Sequence, residues 1–148
     1  MRYIFKAQET FTWERGQLMA NPYLATVIWW AVFFALVLVA LKVFDVVTPF
    51  KVRQETREKN PAVGAVQAGL LVGMALIVYS AIVNSETILM ALLYAVLGLV
   101  LMLVSYYVYD LMSPEQVNKE LDEHNLLVGY KIAGLFVAIG LVVAASIV

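Results

Sequence analysis

The chain has 148 residues, of which 63% are hydrophobic and only 14% charged, with a mean hydropathy of +0.84. So much apolar surface cannot be hidden inside one small soluble domain, and the surplus has to face lipid. A net charge of −1 gives no overall attraction for nucleic acid, and the absence of cysteine excludes disulfides, thiolate metal sites and thiol catalysis.

Residues 1–22 form a polar tail in which Tyr3, Ile4, Phe5, Phe11 and Trp13 sit among charges. Such a mixture suits a segment lying in the membrane interface, with a partner-binding tail as the sharper alternative. The first apolar run, from about Tyr23 to Val47, is longer than a signal-peptide core and reads as a retained span. It contains Trp29, Trp30, Phe33 and Phe34, and its only charges, Lys42 and Asp45, stand near its end. A polar segment from Thr48 to Asn60 leads to a second span, Pro61 to Val83, which carries no charge. After a turn at Asn84, Ser85 and Glu86, a third span runs from Thr87 to Met112 with Asp110 as its one charge. A second polar segment, Ser113 to Asn125, precedes the fourth span, Leu126 to Val148, whose one charge is Lys131.

Shifting the chain by 65 residues lays the second half on the first without a gap. Asp45 falls on Asp110, Thr48-Pro49 on Ser113-Pro114, Glu55 on Glu120 and Asn60 on Asn125, polar matches that shared hydrophobicity does not produce. The expected architecture is an all-α integral membrane protein of four transmembrane helices, built as tandem two-helix repeats over residues 23–83 and 84–148. An even number of spans per repeat inserts both copies in one direction, and a pseudo-two-fold axis along the membrane normal is expected. Each polar segment reads as a short surface helix capped by Thr48 or Ser113, with Pro49 or Pro114 at its first position and Gln116 in a capping box.

Basic residues set the expected orientation. Lys51, Arg53, Arg57, Lys59 and Lys119 lie on the two longer polar segments, flanked by Lys42 and Lys131, against Arg2, Lys6 and Arg15 in the tail. The longer segments are therefore expected in the cytoplasm and both termini outside.

Two sets of residues stand out. Gly64, Gly69 and Gly73 in the second span, and Gly129, Gly134 and Ala138 in the fourth, form stripes of small residues that let helix backbones approach closely in lipid. They predict that spans two and four pack together, within a chain or between chains. Asp45 and Asp110, with Lys42 and Lys131 as counter-charges, are the candidates for a polar or ion site, since an intramembrane carboxylate is costly unless it is used or reaches the interface. Their structural reading is as caps or interfacial anchors. Gln67, Ser80 and Ser105 are read as bundle hydrogen-bonders. His124 stands alone among carboxylates, no spacing of a metal site or catalytic constellation occurs, and neither a cofactor nor enzymatic activity is expected.

The order of these features, an apolar helix ending in Phe44-Asp45 or Tyr109-Asp110, then Thr/Ser-Pro, Glu, Asn and a glycine-rich helix, resembles the YjfL-like bacterial inner-membrane proteins, a domain of unknown function. The resemblance covers residues 23–148 and implies a four-span inner-membrane protein near membrane-stress or envelope-maintenance partners, with no established activity. Two functions follow as expectations. One is an oligomeric scaffold in the lipid bilayer, a homo-oligomer recruiting cytoplasmic protein partners. The alternative is a small cation or proton channel or transporter using Asp45 and Asp110.

Overall fold

The computed structural model describes residues 21–48, 52–85, 87–114 and 116–147. The tail at residues 1–20, to which an interfacial role was assigned above, lies outside them, as do Pro49 and Glu86. Six helices follow in chain order: α1 (Pro22–Val47), α2 (Val52–Arg57), α3 (Pro61–Asn84), α4 (Ile88–Met112), α5 (Val117–Asp122) and α6 (Leu126–Ser146). Among the described residues there is no strand, and α1, α3, α4 and α6 are each long and apolar enough to cross a membrane. Every element of the first repeat recurs in the second at the 65-residue shift, α1 as α4, α2 as α5 and α3 as α6.

The described residues divide into two units, one ending at Ala35 and the other beginning at Leu36. In the first, Asn21 accepts the Tyr23 amide at 3.0 Å, and Pro22 occupies a helical position that needs no N–H partner, so α1 starts there. Trp30 and Phe34, one turn apart, stack with ring centroids 5.8 Å apart.

In the second unit α3 packs on α6 more extensively than any other two elements pack. The reason is the near absence of side chains between them. A Cβ added to Gly69 would stand 2.6 Å from the Ala133 carbonyl oxygen, one on Gly73 2.6 Å from the Phe136 oxygen, and one on Gly140 2.6 Å from the Gly73 Cα. Gly129 lies equally close to Ala62, and Ser80 donates a 2.6 Å hydrogen bond to the Ala144 carbonyl. Lipid tails are as apolar as the helices, so contact this close, with its dispersion and Cα–H···O terms, is what holds spans together. Gly98 lets α4 settle on the Ile77 side chain of α3 in the same way, and Phe44, Tyr106 and Phe136 close one end with edge-to-face contacts at 5.7 and 5.9 Å.

This packing departs from the expected symmetry. A two-fold axis would place equivalent faces of α3 and α6 together, and the contact of Gly69 with Ala133 would be mirrored by Gly134 with Ala68. Gly64 and Gly134 instead have nothing within 4 Å of a Cβ position, and Ala138 is exposed. Of the six small residues proposed for packing, Gly69, Gly73 and Gly129 lie in the α3–α6 seam, whereas Gly64, Gly134 and Ala138 face outward. The two helices run parallel but meet front to back: α3 uses Ala62, Gly69, Gly73 and Ser80, and α6 uses positions about 200° further round its repeat.

Gly69→Ala should therefore lower the thermal stability of the purified protein by roughly 1 to 3 kcal/mol through overpacking against Ala133. In the detergent-solubilised monomer Gly64→Ala should be neutral or stabilise by up to ~1 kcal/mol, because only helix propensity changes there. Equal losses from the two variants in detergent melts would refute the front-to-back arrangement.

Candidate functional site

Among the described residues, polar chemistry gathers where the spans meet α2 and α5. The Thr48 hydroxyl donates to the Phe44 carbonyl at 2.8 Å, and the first surface helix is described from Val52. The first-turn partner is Asp45, whose Oδ1 accepts the Arg53 amide at 3.1 Å. In the second repeat Gln116 makes no side-chain cap. Asp110 accepts instead from the Asn118 side-chain amide at 2.7 Å, and Asn118 accepts from the Tyr106 hydroxyl at 2.5 Å. Each aspartate thus ties the end of its span to the surface helix of its own repeat.

Both surface helices stop in the same way. The amide of Asn60 reaches the Glu55 carbonyl at 3.0 Å and that of Asn125 reaches Glu120 at 2.9 Å, with Lys59 and His124 in the left-handed region at φ 61° and 64°. This is the hydrogen-bond pattern of a Schellman ending made without glycine. Asn60 and Asn125 then cap the following spans, accepting from Ala62 at 2.9 Å and Leu127 at 3.1 Å. Their amide groups turn back to Glu55 at 2.8 Å and Glu120 at 2.6 Å.

The two repeats join here. Asn60 also donates to the Leu121 carbonyl at 2.7 Å, and His124 Nε2 lies 3.7 Å from Glu55 Oε2. Glu55 is 7% exposed and Asn60 3%, making this a buried polar junction between α2, α3 and α5. From the sequence, Asn60 with Pro61 marks the end of the first surface helix, and Glu55 enters only as a repeat match. Their signal was the repeated Glu-x4-Asn spacing.

Of the proposed polar-site residues, Lys42 and Asp45 line one cavity of about 650 Å³ together with Arg53, Arg57, Thr56 and Gln67. Asp110 is not among its lining residues, and Lys131 lies exposed on α6. Gln67 donates to Thr56 at 3.4 Å, Ser80 bridges α3 to α6, and Ser105 bonds its own helix at Leu101. Among the described residues no cluster of histidine and carboxylate side chains could hold a metal ion.

Four apolar helices joined by interfacial segments define a multi-pass membrane protein. Residues 17–147 match the Domain of Unknown Function (DUF350), and the chain belongs to that family. It is similar to the UPF0719 transmembrane protein YshE of Bacillus subtilis (strain 168), 30% identical over 108 residues, covering 72% of this chain and 81% of the relative. It is also similar to a UPF0719 transmembrane protein of Mycolicibacterium paratuberculosis (strain ATCC BAA-968 / K-10), 27% identical over 145 residues, covering 90% and 96%. No solved structure matches.

Asn60→Ala removes a cap and leaves the enclosed Glu55 without its amide donor, so it should cost about 2 to 4 kcal/mol. Asn125→Ala, at a more open copy of the same site, should cost about half as much, as read from paired thermal melts.

Proposed function

We propose that the protein is a non-enzymatic scaffold of the bacterial inner (plasma) membrane whose copies add head to tail through their glycine helices. The observation that carries this is the pair of faces left over by the front-to-back seam. The positions of α6 equivalent to the α3 front are Leu127, Gly134, Ala138 and Ala145, and all are exposed. The positions of α3 equivalent to the α6 back are Gly64, Ala68, Leu71, Ala75 and Tyr79, exposed or half-buried. The chain therefore presents the two halves of the contact it already makes internally, and a second copy supplies the complement of each.

The internal contact also fixes how copies would align. Ala62 meets Gly129 and Ser80 meets Ala144, separations of 67 and 64 residues that bracket the repeat length. Repeating that relation shifts a helix along its axis by no more than ~3 Å, so successive copies stay at one membrane depth. A heterologous contact of this kind closes into a ring or extends as a row. The surface helices α2 and α5 would then be displayed in an array for cytoplasmic partners. The YjfL-like resemblance, with its envelope-maintenance setting, agrees with such a role.

Because the chain lacks cysteine, introduced thiols are unambiguous reporters. Ala138 and Ala75 are the repeat equivalents of Gly73 and Gly140, which touch. A variant carrying both Ala138→Cys and Ala75→Cys should give a ladder of covalent multimers when oxidised in membranes, and each single variant should not. A dimer from Ala138→Cys alone would indicate a symmetric pair, and no ladder from the double variant would refute head-to-tail assembly.

Orientation has its own test. With Arg53, Arg57 and Lys59 on the cytoplasmic side, alkaline phosphatase fused after Val148 should be active and a cytoplasm-dependent fluorescent fusion dark. The reverse pattern would invert the topology.

A further inference from the structure

We infer that the cavity between α1, α2 and α3 is a binding site for the phosphate headgroup of an anionic phospholipid, one per chain. This inference is independent of the assembly described above. The cavity, about 650 Å³, combines two kinds of wall. Leu38, Leu41 and Val46 give it an apolar side on the last turns of a membrane span, and Lys42, Arg53 and Arg57 stand around its polar end with Asp45. A smaller cavity of about 410 Å³ shares Asp45, Arg53 and Arg57 and extends the site past Gln54. Lys42, Arg53 and Arg57 form no ion pair among the described residues, so three cations face one carboxylate. That carboxylate is already engaged by the Arg53 amide.

The second repeat supplies the internal comparison. At the 65-residue shift, Lys42 becomes Tyr107, Arg53 becomes Asn118 and Arg57 becomes Asp122, so none of the three cations is kept, while Gln54 becomes Lys119. The space is also filled. Leu41 is replaced by Tyr106, Thr56 by Leu121 and Gln67 by Ile132, and these three replacements are each fully buried. Tyr107 hydrogen-bonds the Val47 carbonyl, and Asn118 bridges Tyr106 to Asp110. One frame, built twice, is filled in one copy, where none of the three cations is kept, and open and cationic in the other.

The ligand class follows from the chemistry of the walls. Arginine presents its donors in a planar fork matched to phosphate oxygens, and basic pockets at the ends of spans on the side bearing anionic lipid hold such headgroups. An inorganic phosphate would use the cations but gain nothing from Leu38, Leu41 and Val46. An acyl chain emerging from the headgroup lies along that apolar side.

The test uses the full-length protein in a neutral detergent, titrated with phosphatidylglycerol, phosphatidylcholine or inorganic phosphate, with the thermal midpoint as readout. Phosphatidylglycerol should raise the midpoint to saturation, and the other two should not. Arg53→Gln with Arg57→Gln should demand on the order of tenfold more phosphatidylglycerol for the same rise. Lys59→Gln with Lys119→Gln, which removes equal charge elsewhere, should behave as wild type. Asp45→Asn keeps an acceptor for the Arg53 amide and removes a negative charge, so it should tighten binding. If the double arginine variant does not fold, Lys42→Gln alone should weaken binding severalfold. An equal effect of phosphatidylcholine would overturn the charge requirement, and an equal effect of phosphate would reduce the site to a free-anion site. Equal losses in both charge-removal variants would mean diffuse surface attraction and no site.

Discussion

Everything else in the second unit depends on how closely the backbones of α3 and α6 approach. A soluble helix pair gains stability by removing apolar side chains from water, but two spans in a bilayer exchange one apolar neighbour for another. What remains is the density of contact, and that density is set by what the side chains leave out. Ala133 occupies the place of a missing Cβ at Gly69, and Gly73 that at Gly140. With the seam fixed, Ile77 is presented to Gly98 of α4 and Phe136 is brought against Phe44 and Tyr106. The seam also brings Leu121 within reach of Asn60.

The junction at Asn60 solves a different problem with one side chain. Leaving a surface helix and entering a span within a few residues strands amide and carbonyl groups near the hydrocarbon boundary, where an unsatisfied group costs several kcal/mol or roughly that order. Asn60 accepts from two amides of α3 while donating to Glu55 and Leu121, so the end of one helix, the start of the next and the contact with the other repeat share a residue. Pro61 follows where its missing N–H is no loss. An aspartate at position 60 would keep the cap oxygen but set a second carboxylate against Glu55.

The span boundaries, the surface helices and the repeat were legible because each rests on local chemistry: apolar run length, an Asn-Pro start, a 65-residue recurrence of polar residues. The choice of face was not. Gly64 and Gly69 are both small residues on one helix, and nothing in their spacing says which meets Ala133 and which meets open space. The answer lies in non-local neighbours, such as the Met102 side chain and the Phe136 backbone that meet Gly73 on the face that is used. Threonine before proline suits an N-cap, and the same hydroxyl can also bond back to the preceding helix, as Thr48 does at Phe44. Asp45 and Asp110 were placed correctly at the ends of their spans, yet only the fold shows that Arg53 and Asn118 receive them.

Tandem repetition usually implies equal parts, and the two halves of this chain keep matching frames: helix starts that agree within a residue, equal left-handed endings, equal asparagine caps. Two of their differences are visible only in the fold. In the membrane, parallel helices that meet front to back cannot satisfy both copies at once, and each retains one unused face. At the interface, Tyr106, Leu121 and Ile132 fill in one repeat the space that Leu41, Thr56 and Gln67 leave open in the other. Both asymmetries have one physical origin. Two identical units related by a two-fold axis present identical surroundings, so a residue that suits one suits the other. Once the packing is front to back, the equivalent positions of α3 and α6 face different neighbours, and the same frame can carry a dense aromatic plug on one side and an open, charged crevice on the other.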